Sequence, residues 1–210
     1  SDYKNSGLKG VFHCFTGTTE EAAQAIELGF MLGIGGVLTY KSAHLPEAIE
    51  GLPAEALDEQ VNARIFFKCE NLQKVGAFKA RGATNAVLKL GDDAARRGVV
   101  THSSGNHAQA LALAAKIRGI DCHVVMPTNA PAVKREAVVD FGATIYDCAP
   151  TQEARESTAT EVCARTGGVL IPPFDHPDIL AGQGTCGLEI HEDQPDLDAV
   201  IVCPTDPHHV

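Results

Sequence analysis

The sequence predicts an α/β fold in which parallel strands are flanked by helices. Short apolar runs alternate with longer helical patterns along the 210 residues. Several runs are continuously apolar, as in strands that are covered on both faces. Strand and helix repeated in this order favour a parallel sheet, whose ligands bind at the carboxyl ends of the strands. The loops after residues 13, 102 and 203 are therefore the first candidates for a site.

The predicted elements follow from apolar runs and from helix-end signals. The strands are expected at 10–15, 30–36, 64–70, 98–104, 122–127, 144–148, 168–174 and 199–204. The helices are expected after the capping box of Thr18 and Glu21, from 106 to Gly119, from Pro131 to Gly142 and from Thr151 to Gly167. The strands and helices between residues 95 and 175 predict an intact, doubly wound small lobe, beside a second lobe of mixed origin.

Composition and charge limit the classes of function. Hydrophobic residues make up 44 % and charged residues 21 % of the chain, and the formal net charge is −10. A negative chain is repelled by nucleic acid and by anionic membranes, so neither partner is expected. The seven cysteines are scattered without a CxxC pair, and no signal peptide or spanning segment is recognised. We expect a cytoplasmic protein.

Lys79 is the first candidate for chemistry. It lies in the stretch VGAFKARGA, between Phe78 and small residues. Burial or a neighbouring cation such as Arg81 lowers the pKa of a lysine amine, which can then form a Schiff base with a carbonyl. The alternative is an ordinary lysine at a helix start, with its aliphatic stem packed on Phe78.

The stretch THSSGNHAQA is the second candidate. It closes a predicted strand and opens an alanine-rich helix, so that free backbone N–H groups face any anion held there. Ser103, Ser104, Asn106 and His107 supply hydrogen-bond donors, and a carboxylate is the expected guest. The alternative is that Ser104 or Asn106 only caps the helix.

Four segments in this order resemble the serine racemase and threonine/serine dehydratase family of fold type II pyridoxal-phosphate enzymes. They are RIFFKCENLQKVGAFKARGATNAV, THSSGNHAQALALAAK, VVMPTNAPAVKREAVVDFGA and ILAGQGTCGLEI, and the resemblance covers about residues 60–204. It implies that pyridoxal 5′-phosphate is the cofactor and that a small amino acid, L-serine or L-threonine, is the substrate. The chemistry implied is α-proton removal, followed by reprotonation or by loss of hydroxide.

The same resemblance assigns a role to each candidate residue. It implies that Lys79 binds the cofactor covalently, that Phe78 flanks the cofactor ring and that Asn106 bonds its 3′-oxygen. Ser104 would be the acid/base on the face opposite Lys79. Ser103, Ser104, Asn106 and His107 would together hold the substrate carboxylate. The resemblance also implies a homo-oligomer, such as a dimer.

The chain departs from the family in two places. Ala77 stands where members usually have serine. After the predicted strand 199–204 the family continues with glycines that cradle the cofactor phosphate, whereas this chain reads TDPHHV. The later catalytic half is also missing, so we expect weak turnover or none.

The ends of the chain resemble another family. Residues 8–53 are similar to the later part of TatD-type metal-dependent DNases, which are TIM barrels, and TDPHHV resembles a second motif of that family. The resemblance implies that His13 and Asp206 are divalent-metal ligands. The alternative is that His13, which lies in an apolar predicted strand, is a hydrogen-bonded histidine of the core.

Two further hypotheses follow from these mixed resemblances. Beside the pyridoxal-phosphate enzyme, which is the leading hypothesis, the chain could be a TatD-like metal-dependent hydrolase remnant, and the third hypothesis is a catalytically silent engineered chimera. The domains expected are a TatD-like segment at 1–58, a dehydratase-like segment at 59–204 and a TatD-like tail at 205–210.

Overall fold

The computed structural model describes residues 66–200 and 202, residue 24, and the backbone of 10–12 and 30–32. The chain divides into one unit of Ser1–Leu72 and Leu197–Val210 and a second unit of Gln73–Asp196. In the first unit, strands β1 (Gly10–Phe12) and β2 (Phe30–Leu32) form a parallel pair, in which Gly10 lies opposite Phe30.

The second unit is built on a four-stranded parallel sheet. Its strands are β3 (Val99–His102), β4 (Cys122–Pro127), β5 (Thr144–Cys148) and β6 (Val169–Leu170), in the spatial order β5-β4-β3-β6. Its helices are α1 (Lys79–Lys89), α2 (Asp92–Ala95), α3 (Asn106–Arg118), α4 (Ala132–Asp140), α5 (Gln152–Thr166) and α6 (Pro177–Asp193). The prediction of an α/β fold with a parallel sheet and flanking helices is confirmed.

Each face of this sheet has its own hydrophobic core, because side chains alternate between the two faces of a strand. On one face, Val99 and Val124 pack with buried residues of α1, α3, α4 and α6. On the other face, Val100 and Val125 pack with Ala159 and Val162 of α5. Helices on both faces make this unit doubly wound.

The helix boundaries agree with the end signals in the sequence. The Thr151 hydroxyl accepts a hydrogen bond from the backbone N–H of Ala154 at 3.1 Å and so caps the start of α5. Gly119 ends α3 with a φ of 72°, in the left-handed region where a glycine meets no Cβ penalty. These local rules need no tertiary contact, which is why they could be predicted.

Two predicted strands do not form in the described part of the chain. Residues 66–69 have no regular structure, Glu70–Leu72 form a turn of 3-10 helix, and neither residue 199 nor 200 belongs to a strand. The strands expected at 64–70 and 199–204 are therefore wrong for their described residues. Phe66 and Phe67 are exposed, since an apolar run becomes a buried strand only where a sheet covers it.

Among the residues that the structure describes, no helix is long and apolar enough to cross a membrane.

Candidate active site

Lys79 lies at the first position of α1, with its side chain half-buried. Its Nζ atom donates a hydrogen bond to the carbonyl oxygen of Pro173 at 2.8 Å. The same atom lies 5.2 Å from the centre of the Phe78 ring, within the range of a cation–π interaction. The amine is thus held at a defined point, by a carbonyl three residues beyond the end of β6, and does not extend along a solvated helix face.

Arg81, the cation expected beside Lys79, is engaged elsewhere. Its guanidinium makes a bidentate ion pair with Glu189 of α6, with N–O distances of 2.6 and 2.7 Å. It also donates to the Thr185 hydroxyl at 3.0 Å. A paired guanidinium contributes little positive potential to its surroundings. Arg81 therefore anchors α1 to α6, and this anchoring was missed in the sequence because the partner is 108 residues away.

The loop after β3 leads directly into α3. The Ser103 N–H donates to Val125 at 3.1 Å, and the Ser103 hydroxyl oxygen accepts from the Gly105 N–H at 3.2 Å. The residue that caps α3 is Gly105, and no side chain satisfies the first turn. The alternative in which Ser104 or Asn106 is only the helix cap is therefore wrong.

Ser104 and Asn106 are half-buried at this open helix start. In the described part of the chain, no hydrogen bond or ion pair engages the Ser104 hydroxyl or the Asn106 amide. A positive charge stands nearby, since a Cβ atom on Gly105 would lie 3.5 Å from the Nζ atom of Lys134. A cation beside a helix N-terminus is unfavourable unless an anion joins them, so the loop suits an anionic group. Lys134, which is part of α4, was missed in the sequence.

His107 is the second residue of α3 and is buried, with 2 % of its surface exposed. Its Nε2 atom lies 3.2 Å from the carbonyl oxygen of Ile171. A carbonyl only accepts, so Nε2 carries the proton, while the buried Nδ1 atom has no partner in the described structure. Burial, together with the charges of Lys79 and His102, lowers the pKa of His107 from 6.5 to about 4.

The ring N–H of His107 is therefore engaged in a hydrogen bond within the protein. Its donor is used by Ile171, so the prediction that the ring binds a carboxylate receives no support from the structure and stays a prediction. Thr101, near the carboxyl end of β3, is fully buried, and its hydroxyl oxygen has no partner among the described residues. An unpaired buried hydroxyl is costly, and its place near the loop suits a polar ligand.

The comparisons with known proteins match the two parts of the chain to two families. The family model for pyridoxal-phosphate dependent enzymes matches residues 48–205. The model for TatD related DNases matches residues 1–57, about a quarter of the chain. Because the first match covers most of the sequence, the chain belongs to the family of pyridoxal-phosphate dependent enzymes.

The proteins that this chain resembles include racemases and dehydratases. The chain is 51 % identical over 148 residues to a beta-hydroxyaspartate dehydratase of Paracoccus denitrificans, which covers 70 % of this chain and 47 % of that protein. It is 47 % identical over 150 residues to a serine racemase of Dictyostelium discoideum, covering 71 % and 46 %. The structure of maize serine racemase aligns with a TM-score of 0.68 and 48 % identity, covering 70 % and 45 %. The chain thus spans less than half the length of these relatives.

The described residues fit this cofactor. Pyridoxal phosphate carries an aldehyde, a ring oxygen and a phosphate, which require an amine and hydrogen-bond donors. Lys79 supplies a half-buried amine, and the start of α3 supplies free N–H groups, the Asn106 amide and the nearby Lys134. The family's phosphate-binding glycines would follow residue 204, where this chain reads TDPHHV, so that part of the cofactor site stays outside this comparison.

The two predicted metal ligands, His13 and Asp206, also lie outside the described residues. Within the part of the chain that the structure describes, no group of three or more histidine, cysteine, aspartate or glutamate side chains could hold a metal ion. The metal prediction is therefore untested.

Proposed function

We propose that this chain carries the lysine-bearing part of a pyridoxal-phosphate-dependent racemase or dehydratase acting on hydroxy amino acids. The observation that carries the proposal is the placement of the Lys79 amine, 2.8 Å from the Pro173 carbonyl and close enough to His107 to influence its pKa. The relatives support the substrate class, since they include serine racemases and hydroxyaspartate dehydratases.

Each side chain has a task in this proposal. Lys79 and Asn106 hold the cofactor, beside Phe78. The substrate carboxylate binds at the start of α3, where Ser103, Ser104 and the backbone N–H groups donate hydrogen bonds and Lys134 adds positive potential. When bound, pyridoxal phosphate supplies the electron sink that makes the α-proton acidic.

Two residues then move the proton. The Lys79 amine takes the α-proton on one face, and the Ser104 hydroxyl exchanges a proton on the other face. Return of a proton gives racemisation, whereas protonation of the leaving β-hydroxyl gives dehydration. Racemisation and dehydration use the same described residues, so both reactions should be assayed.

A lysine variant with a matched control tests the proposal. Purified protein is titrated with pyridoxal phosphate, and the visible absorbance of the bound cofactor is followed. We expect saturable colour in the wild type and in Lys89→Arg, because Lys89 is exposed at the last turn of the same helix. Colour should be lost in Lys79→Arg, whose guanidinium cannot replace the amine. Equal colour in all three proteins would reject the proposal.

A second candidate function rests on the TatD match of residues 1–57. In that case His13 and Asp206 would bind a divalent cation and support hydrolysis of a phosphodiester. Manganese or zinc bound in stoichiometric amount and lost in His13→Ala would support it. Metal content unchanged by this variant would reject it.

The two successive family matches also support the chimera hypothesis. The expected homo-oligomer and the cytoplasmic location stay predictions.

A further inference from the structure

The segment Ile171–Pro173 is bonded to both His107 and Lys79. The His107 Nε2 atom donates to the Ile171 carbonyl at 3.2 Å, and the Lys79 Nζ atom donates to the Pro173 carbonyl at 2.8 Å. Ile171 is buried and its N–H donates to Val100 at 2.8 Å, so β3 holds the segment from the other side. One short stretch of backbone therefore lies between the helix that carries His107 and the helix that carries Lys79.

This stretch is stiff. Residues 172 and 173 are both proline, so each has a φ fixed near −65°, and each residue that precedes a proline is restricted to extended conformations. A displacement of the Ile171 carbonyl is therefore transmitted to the Pro173 carbonyl with little local adjustment. The position of the acceptor for the Lys79 amine depends on the bond made by His107.

We infer that His107 is a positioning residue, which fixes the Ile171–Pro173 segment so that its last carbonyl holds the Lys79 amine in place before the cofactor binds. A neutral ring suits this task, because the Lys79 ammonium would repel a charged imidazolium. The ring is not required to touch the cofactor or the substrate. The inference deepens the proposed function, on which it rests for its meaning in catalysis.

Lysine reactivity without any cofactor tests the inference. The protein is reductively methylated with formaldehyde and cyanoborohydride, and each lysine is quantified by peptide mass spectrometry, with exposed Lys89 and Lys116 as internal references. Four proteins are compared: wild type, His107→Leu, His107→Gln and Val162→Ala. The leucine lacks a donor, the glutamine amide reaches the same carbonyl, and Val162→Ala destabilises the core on the opposite sheet face.

We expect Lys79 to be methylated about tenfold faster, relative to the references, in His107→Leu than in the wild type, as for loss of one hydrogen bond to a charged group. His107→Gln should restore protection and Val162→Ala should retain it. Unchanged reactivity in His107→Leu, or an equal rise in Val162→Ala, would overturn the inference. Should His107→Leu fail to fold, His107→Asn, whose shorter amide falls short of Ile171, makes the same comparison.

A parallel titration with pyridoxal phosphate separates the two proposals. No bound cofactor in the wild type rejects the proposed function, while the methylation pattern still decides the role of His107. Cofactor bound at Lys79 together with unchanged methylation in His107→Leu rejects only the positioning role.

Discussion

A Cβ atom on Gly182 would lie 2.6 Å from the carbonyl oxygen of Arg81, so α6 and α1 touch backbone to backbone at this point. Gly82 makes the reciprocal approach, since a Cβ there would lie 2.8 Å from the carbonyl of Ile179. Distances below 3 Å leave no room for a side chain on either helix. The crossing fixes α1 immediately after Lys79 and so contributes to the geometry of the candidate site.

A methyl group at this crossing should therefore destabilise the protein. Gly182→Ala is expected to lower the free energy of unfolding by roughly 1–3 kcal/mol through overpacking. Gly184→Ala is the matched control, because nothing lies within 4 Å of a Cβ at Gly184. In the helix interior that change should raise stability by about 0.5–1 kcal/mol. Urea denaturation measures both, and equal effects would contradict the close crossing.

Stability should fall in mildly acidic solution because of His107. Its pKa is lowered from 6.5 to about 4 by burial and by the charges of Lys79 and His102. Above pH 6.5 the ring is neutral in both states. As the pH falls from 6.5 to 4 the unfolded chain binds a proton that the folded chain rejects, so folding loses up to roughly 3 kcal/mol.

The measurement is the free energy of unfolding at several pH values between 7 and 4, for the wild type and for His107→Gln. The difference between the two proteins isolates this histidine from the other titrating groups. It should change steadily over that window in the direction that favours the variant at low pH. A constant difference would contradict a buried, neutral ring.

The bidentate pair of Arg81 and Glu189 should contribute measurably to the packing of α1 on α6. The Arg81 side chain is 12 % exposed, whereas that of Glu189 is 40 % exposed, so solvent screens part of the attraction. We expect Arg81→Lys, which keeps the charge but loses the planar fork, to cost about 1 kcal/mol. A double-mutant cycle with Glu189→Gln gives the coupling energy, and a value near zero would show that the pair is not stabilising.

Ser104 should affect proton exchange more than cofactor binding. In Ser104→Ala the visible absorbance of the bound cofactor should persist, while exchange of the substrate α-proton with deuterated solvent slows by about 100-fold or more, as for loss of a general acid/base. Ser157→Ala, an exposed serine on α5, is the control. Equal exchange rates in the two variants would remove Ser104 from the proposed chemistry.

The sequence predicts those structural features that depend on residues close together along the chain. The open start of α3 follows from the Ser-Ser-Gly loop after β3, and the end of the same helix follows from Gly119. The predicted strand 168–174 shows the limit, since β6 covers only Val169–Leu170. Ile171 still donates to Val100, but the two prolines that follow have no N–H to continue the ladder.

The tertiary partners could not be predicted in the same way. His107 carries no sequence signal that separates a buried positioning role from carboxylate binding, because its partner Ile171 is 64 residues away. Pro173, which accepts from Lys79 across 94 residues, has no side-chain donor or acceptor that a motif would display. The same holds for Lys134 of α4, whose amine lies near Gly105 at the start of α3. These contacts are set by the packing of helices on the sheet, which needs the three-dimensional structure.

The most direct test of this account is to trap the cofactor on the protein. The chain is incubated with pyridoxal phosphate, reduced with borohydride, digested, and mapped by peptide mass spectrometry. We expect one phosphopyridoxyl group per chain, confined to Lys79. Label spread over many lysines, or no label, would contradict it.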